Sequence, residues 1–496
     1  MARTPPLAAA CGLLLALSAL LGPAVARADG SYPGSRQILL PPERPEQLIL
    51  ATNFGLILSE DAGATWTFSC ERELNAYAGP YSLGAAGSRR IFALTAGAGL
   101  IHSDDDSCGW QAAGGALSDV LPYAFAVDPT SAQRVYAIGV PRADLRGGDS
   151  IYVSDDGGVS FGPPVFTAPA RSAMLSILVA PSRPSRLFAT LFSTPQNHPS
   201  LLRSDDSGEH WEEVADLAEA LGENPFELVA IDPLDENKLY ARILGPSAET
   251  LAISDDGGLG FVQSVSIAGK LNAFLQLASG TLLVAGTTGM QGEGYRSKDG
   301  GQTFEAWPAA PHVHALAERD GKLYVAGDSY ADGYALAVSD DEGEHLQPLL
   351  QFKQVRALEE CVAEACTETC GYYAGIGLWP AAVCAAPGDS TPSTPDDSTP
   401  DAGGDAGGDA GAPGLEASPQ PTKVQLSGGG CACNLGQSSP ANAWQALLAI
   451  AVTALARQGR ALGGRAQARA PGPRLKRAVR WSLATLPSDA LDAREP

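Results

Sequence analysis

The chain has 496 residues, with 56 Asp and Glu against 33 Lys and Arg and a formal net charge of -23. That acidic excess sets nucleic acid and anionic membrane surfaces aside as partners, although many of the acids fall in turns and solvated loops. Its 45% hydrophobic content is ample for a folded core.

Residues 1–28 read as a secretory signal. Arg3 gives the positive start, Leu7 to Leu21 is apolar, and Ala24-Val25-Ala26 or Ala26-Arg27-Ala28 offers a cleavage pattern. Export places the mature chain in an oxidising compartment. Over 31–357 the pattern Ser-x-Asp-x-Gly-x-x-Trp/Phe then recurs. Its copies start at Ser59, Ser103, Ser154, Ser204, Ser254, Ser297 and Ser339, at spacings of 44, 51, 50, 50, 43 and 42 residues. The first copy is complete in Ser59, Asp61, Gly63 and Trp66. The next five carry Asp105 and Trp110, Asp156 and Phe161, Asp206 and Trp211, Asp256 and Phe261, and Asp299 and Phe304. The seventh has Asp341 but ends in Leu346, and the second has Ser107 where Gly is expected.

Each copy lies between short apolar runs and reads as a hairpin turn. Ser and Asp side chains cap the backbone N–H groups of such a turn, and Gly supplies the left-handed position. The closing aromatic is expected between its own sheet and the next. A second hairpin precedes several copies, as in Ala126-Val127-Asp128-Pro129 followed by Arg134-Val135-Tyr136-Ala137. Two hairpins at a period of about 45 residues make one four-stranded blade. The expected fold is therefore all-β: a seven-bladed β-propeller of four-stranded antiparallel blades, followed by a Cys-rich segment and a disordered tail.

The repeat resembles the Asp-box, or BNR repeat, of sialidases, sortilin-type receptors and some glycoside hydrolases, over about Ser35 to Phe352. The resemblance implies that the box is a structural turn on the outer part of each blade. It also raises catalysis. Sialidases carry an early Arg-Ile/Leu-Pro motif, which is missing here: Arg90-Ile91-Phe92 and Arg242-Ile243-Leu244 both fail at Pro. Their catalytic propellers have six blades, so sialidase activity is set aside.

Any site is then expected on the loops joining the second and third strands of each unit. Five of these look enlarged: Pro141 to Asp149, Thr194 to Ser200, Gly245 to Thr250, Gly289 to Gly294 and Asp328 to Gly333. They carry Asp144, Arg146, Asp149, His198, Glu249, Glu293, Asp328 and Asp332 as candidate binding residues. No catalytic residue, metal or cofactor is assigned. His312-Val313-His314 reads as packing or exposure on a strand, and His210 and His345 are box positions.

Six cysteines lie between the signal and the tail. Cys70 and Cys108 are expected to pair between adjacent blades. Cys361, Cys366, Cys370 and Cys384 form a cluster in the segment 358–386, whose three possible pairings stay open. The Cys361-x4-Cys366-x3-Cys370-x13-Cys384 spacing fits no common zinc pattern.

Residues 387–427, rich in Ser, Thr and Pro and then in Asp-Ala-Gly-Gly, read as a flexible linker. In 428–460, Cys431 and Cys433 precede an apolar stretch from Ala443 to Ala456 and then Arg457 and Arg460. Such a helix spans about 20 Å, short of the roughly 30 Å of a bilayer core. The arrangement resembles the sorting tails of myxobacterial exported proteins, which implies processing and surface attachment at Cys431 and Cys433. Unlike those tails the chain continues through 461–496 as a basic, disordered extension. The functional expectation is a monomeric, surface-tethered propeller binding an extracellular glycan, peptide or protein. The alternatives are a glycoside hydrolase or lyase using two loop carboxylates, and an assembly factor for an envelope complex.

Overall fold

In the computed structural model, residues 33–385 are described except 71–77, 96, 195, 289–290 and 309. The expected signal, the expected linker, the expected sorting tail with Cys431 and Cys433, and the expected basic extension lie outside the described residues. Seven four-stranded antiparallel sheets follow one another along the chain and make a seven-bladed β-propeller. Blades 1 to 7 cover residues 35–70, 78–112, 120–167, 172–216, 226–267, 270–306 and 315–350. The first strands of successive blades neighbour one another around the ring and are innermost.

The burial pattern explains why these segments form blades. Second strands such as Leu48–Thr52 and Ile91–Thr95 are buried at every residue, because neighbouring blades cover both of their faces. They therefore read as continuous apolar runs. The two-residue outer strand of blade 2, Gln111–Ala112, is exposed throughout. An up-and-down blade places its turns alternately at two ends. The turns joining strands 1–2 and 3–4 share one end, and the 2–3 loops share the other with the links between blades.

Each repeated serine is the last residue of a third strand, as in Gly55–Ser59 and Glu249–Ser254, so every repeat is a 3–4 turn. Its aromatic packs toward the preceding blade, not the next one. Trp66 of blade 1 lies in a cluster with Ala315, Ala317 and Leu350 of blade 7. Phe161 of blade 3 lies with Phe92 and Leu94 of blade 2. The 3–4 turn leans that way because its glycine opens onto that neighbour, as described below.

The ring closes without exchanging a strand, since all four strands of every blade are contiguous in sequence. Ser35 Oγ of blade 1 donates to the Ala335 carbonyl of blade 7 at 2.9 Å. The segment after blade 7 covers the seam. Its strand Ala357–Leu358 pairs parallel with Thr67 and Phe68, the outer strand of blade 1. Its helix Ala363–Gly375 buries Ala363, Cys366 and Cys370. Phe352, Tyr373 and Trp379 from this segment pack on Phe54 and Phe68 of blade 1.

The expected Cys70–Cys108 bridge is replaced by Cys70–Cys366, Cys108–Cys361 and Cys370–Cys384. Cys70 ends the outer strand of blade 1 at the loop end, paired across from Gly55, whereas Cys108 lies in a 3–4 turn at the opposite end. At ~3.3 Å per residue, a strand of this length holds the ends about 10 Å apart, beyond the ~7 Å Cα separation that a disulfide tolerates. The C-terminal segment supplies a partner for each. Only Cys370 and Cys384 pair inside the cluster. Among the described residues no helix is long and apolar enough to cross a membrane.

Candidate functional site

At the turn end, all seven repeats fold alike. The Ser hydroxyl donates to the Asp carboxylate two residues on and accepts the N–H of the residue four on. The distances are 2.8 and 2.8 Å in the first copy and 2.7 and 2.8 Å in the third. The Asp carboxylate in turn accepts the N–H of the residue four beyond it, as in Thr65→Asp61 at 2.8 Å and His345→Asp341 at 2.9 Å. Those bonds hold Asp156 and Asp206 down at about 2 despite the opposing effect of burial on Asp156, and hold Asp61, Asp299 and Asp341 below the usual carboxylate range as well. Each repeated carboxylate is thus satisfied inside its own turn.

The fourth residue of every repeat has positive φ, whether it is Gly157 at 75° or Ala62, Asp106, Ser207 or Glu342 at 55–61°. That left-handed residue aims its carbonyl at the preceding blade. Tyr136 donates to Ser207 O at 3.0 Å, Lys238 to Gly300 O at 3.3 Å, and Arg90 to Gly157 O. The fifth residue must be small. A Cβ on Gly258 would stand 2.1 Å from Leu201 of blade 4, and one on Gly301 2.2 Å from Ile253 of blade 5. In blade 2 the place is taken by Ser107, buried with φ at 77°, next to the bridged Cys108.

The loop end is built differently. Of the five loops expected to be enlarged, three are hairpins. Strands Leu187–Ser193 and His198–Ser204 leave only 194–197 between them, Leu239–Leu244 and Glu249–Ser254 leave 245–248, and Leu282–Thr288 and Gln291–Ser297 leave 289–290. His198, Glu249 and Glu293 therefore sit on strands.

The eight candidates separate into three kinds. Asp149 and Glu249 are buried and point between blades. Asp149 accepts the Met174 N–H at 2.7 Å beside the Tyr123 phenol. Glu249 accepts the Leu271 N–H at 2.9 Å, while Arg242, ion-paired with Glu227 and 3.5 Å from Glu249, donates to Leu271 O at 2.8 Å. Burial is the main force on both carboxyls and raises them above the ordinary range. These two are interblade ties, as is the Gln37 side chain, which clamps both the N–H and the C=O of Tyr81 in blade 2. Asp144, Arg146, His198 and Glu293 are spread over blades 3, 4 and 6. Asp144 and Arg146 are exposed, with the Arg146 N–H bonded to Asp144 at 3.2 Å; His198 lies 3.3 Å from Asp216; Glu293 accepts from Tyr295 at 2.5 Å.

Asp328 and Asp332 are brought together on the 2–3 loop of blade 7. The Asp332 carboxylate accepts the Asp328 N–H at 2.8 Å and two contacts from His312, its N–H at 3.2 Å and its ring Nδ1 at 2.8 Å. Asp328 accepts the N–H groups of Tyr330 and Ala331 at 2.8 and 3.0 Å. His314, at the head of the inner strand, is close enough to feel both carboxylates and Arg36 of blade 1. Burial first, and then Arg36, hold its imidazole below the ordinary value. His312, Asp328 and Asp332 thus form a hydrogen-bonded polar group at the loop end of blade 7. The contact that fixes His312 comes from a loop twenty residues away in sequence, so no spacing within His312-Val313-His314 points to it. The Asp332 carboxylate orients the His312 ring, an arrangement suited to hydrogen bonding with a polar ligand.

A further acid–imidazole group, Asp206, Glu209 and His210, is exposed at the turn end. Asp206 and His210 there bond each other within their own turn.

No family model matches the chain, and no curated protein matches it. Among solved structures it is similar to the GH74 xyloglucanase of Xanthomonas campestris, at 17% identity over 63% of this chain and a TM-score of 0.34. The chain spans 57% of that enzyme's length. It is similar also to YCF48 of Cyanidioschyzon merolae, at 13% identity over 59% of this chain and 92% of that one, with a TM-score of 0.43. An oligogalacturonate lyase in complex with manganese matches at 12% identity over 62% of this chain and 89% of that one, with a TM-score of 0.44. Similarity this low assigns no activity to the chain.

Proposed function

We propose that the protein is an exported, surface-tethered propeller that binds an extracellular polar ligand, a glycan, a peptide or a partner protein, at its loop end. One observation carries this reading. The repeated carboxylates are consumed by their own turns, whereas His312, Asp328 and Asp332 gather polar groups at the other end, on the loops of blade 7. The three disulfides fit an oxidising compartment. Surface attachment rests on Cys431 and Cys433 and on the linker before them.

The hydrolase or lyase reading needs two carboxylates facing a cleft, about 5–9.5 Å apart in glycosidases. Among the eight loop candidates Asp328 and Asp332 are neighbours, but Asp332 is taken up by the Asp328 and His312 N–H groups and the His312 ring, and Asp328 accepts two backbone N–H groups of its own loop. Binding is therefore preferred to catalysis. An assembly factor would be one case of a protein-binding propeller.

The test is an array of glycans and extracellular peptides probed with the secreted chain and with Asp332→Asn/His312→Gln and Asp144→Ala/Arg146→Ala variants. The proposal expects a discrete ligand whose binding weakens about tenfold or more in the first variant, because a polar pocket loses paired groups, and little in the second. Equal binding by all three would contradict the assigned cluster. Labelling intact cells tests the tether: Cys431→Ala/Cys433→Ala should release the chain or leave it unprocessed, and unchanged localisation would contradict attachment there.

A further inference from the structure

An edge strand left open is a template for another strand, and proteins guard such edges by shortening, charging, covering or breaking them with proline. The seven outer strands can be compared on this basis. In blade 1 the outer strand is covered by Ala357–Leu358. In blades 2, 3 and 6 it has two residues: Gln111–Ala112, Phe166–Thr167 and Glu305–Ala306. In blade 4, Glu212–Asp216 holds three acids, and in blade 7, Gln347–Leu350 holds Pro348. Blade 5 ends in Val262–Ile267, six residues long with no charge and no proline, and nothing among the described residues pairs with its outer side.

The same blade carries exposed apolar side chains around that strand. Val262 is 74% exposed, and Leu259, in the turn leading to it, 62%. The surroundings are acidic. Gln263 donates to Ala220 O at 3.2 Å, which sets the short helix Ala218–Leu221 against the strand. Glu219 and Glu223, on and just after that helix, are exposed.

We propose that the outer edge of blade 5 is a docking site for an extended segment of a partner protein, with alternating small apolar side chains and flanking Lys or Arg residues, which joins the sheet as a fifth strand. The strand supplies backbone hydrogen bonds and an apolar rim, and the glutamates select the basic flank. This surface is separate from the loop-end cluster, so either assignment can fail without the other. A second copy of the chain is the poorer occupant, because a two-fold edge pairing would bring the two sets of glutamates toward each other.

The probe is a fluorescent Thr-Val repeat peptide flanked by lysines, titrated against the full secreted chain by anisotropy, with hydrogen exchange reporting where it lands. Binding should weaken with salt, and protection should fall on Val262–Ile267. Gln263→Lys/Ser266→Lys, both at exposed positions, should weaken binding about tenfold or more. Glu219→Gln/Glu223→Gln, which leaves the strand untouched, should weaken it by about two- to tenfold and flatten the salt dependence. The proposal is overturned if the peptide fails to bind, if protection falls elsewhere, or if both variants bind like the parent. Self-association abolished by the same lysines would assign the edge to a second copy and also overturn it.

Discussion

Blades 3 to 6 and the seam between blades 7, 1 and 2 solve one problem by different means. In the interior of the chain, neighbouring blades are joined by a short covalent link, and side-chain ties suffice to fix their angle: Tyr136 to Ser207 O, Lys238 to Gly300 O, Asp149 to the Met174 N–H, and the Arg242–Glu249 pair to Leu271. At the seam no link runs from blade 7 directly into blade 1. There the hydrogen bond from Ser35 and the Arg319 contact with the Gln47 carbonyl are joined by a covering segment with two disulfides reaching back 296 and 253 residues. The lesson is that a propeller with contiguous blades places its covalent reinforcement where the chain is not continuous.

Breaking the seam should have the largest effect. A Cys361→Ser/Cys366→Ser chain loses both long-range bridges, each worth about 2–4 kcal/mol through the entropy of the unfolded chain. Denaturant melts should show that loss. If the double variant matches the parent, the bridges do not hold the ring. At an interior junction, Arg242→Ala strands two buried carboxylates and should destabilise by about 3–5 kcal/mol. Melts at neutral and at acid pH distinguish that charge effect from lost packing: the deficit should shrink when Glu249, already raised by burial, is protonated.

Gly301→Ala tests the turn end. With φ at 95° and the new Cβ 2.2 Å from Ile253, it should cost about 1–3 kcal/mol through strain and overpacking. Gly321→Ala, at φ 74° with open space around it, carries the backbone strain alone and should cost less. Equal losses would mean that the repeat glycine is needed for φ and not for the neighbouring blade.

The smallest effect is in pH. The turn carboxylates Asp156 and Asp206 have folded values of about 2, below the ordinary 3.8. Their contribution is full above 3.8 and is lost as pH falls through the folded values, so acid sensitivity should appear between about pH 4 and 2. His210 and His345, raised by Asp206 and Asp341, act in the opposite sense. Their contribution is full below 6.5 and fades as pH rises through the folded value. A His345→Ser chain should lose that slight alkaline fading in thermal melts, and an unchanged profile would contradict it.

The fold was legible because the repeat is local. Ser, Asp and Gly within eight residues make one turn, and counting turns counts blades. The left-handed fourth position was not legible, since Ala62 and Glu342 adopt it as Gly157 does. The direction of the aromatic, toward the preceding blade, depends on blade packing and not on the turn. The disulfide partners were hidden because Cys70 and Cys108 look adjacent by blade number, yet they lie at opposite ends of the strands. Asp149 and Glu249 looked like loop acids because their position beside a turn is visible in sequence, whereas the N–H groups they satisfy belong to the following blade. His312 and Asp332 share no spacing rule, and only the folded loop joins them.

Peptide mapping of the chain without reduction tests the closure of the ring most directly. The account predicts crosslinked peptides containing Cys70 with Cys366, Cys108 with Cys361, and Cys370 with Cys384. A peptide joining Cys70 to Cys108, or free thiols at Cys361 and Cys366, would contradict it.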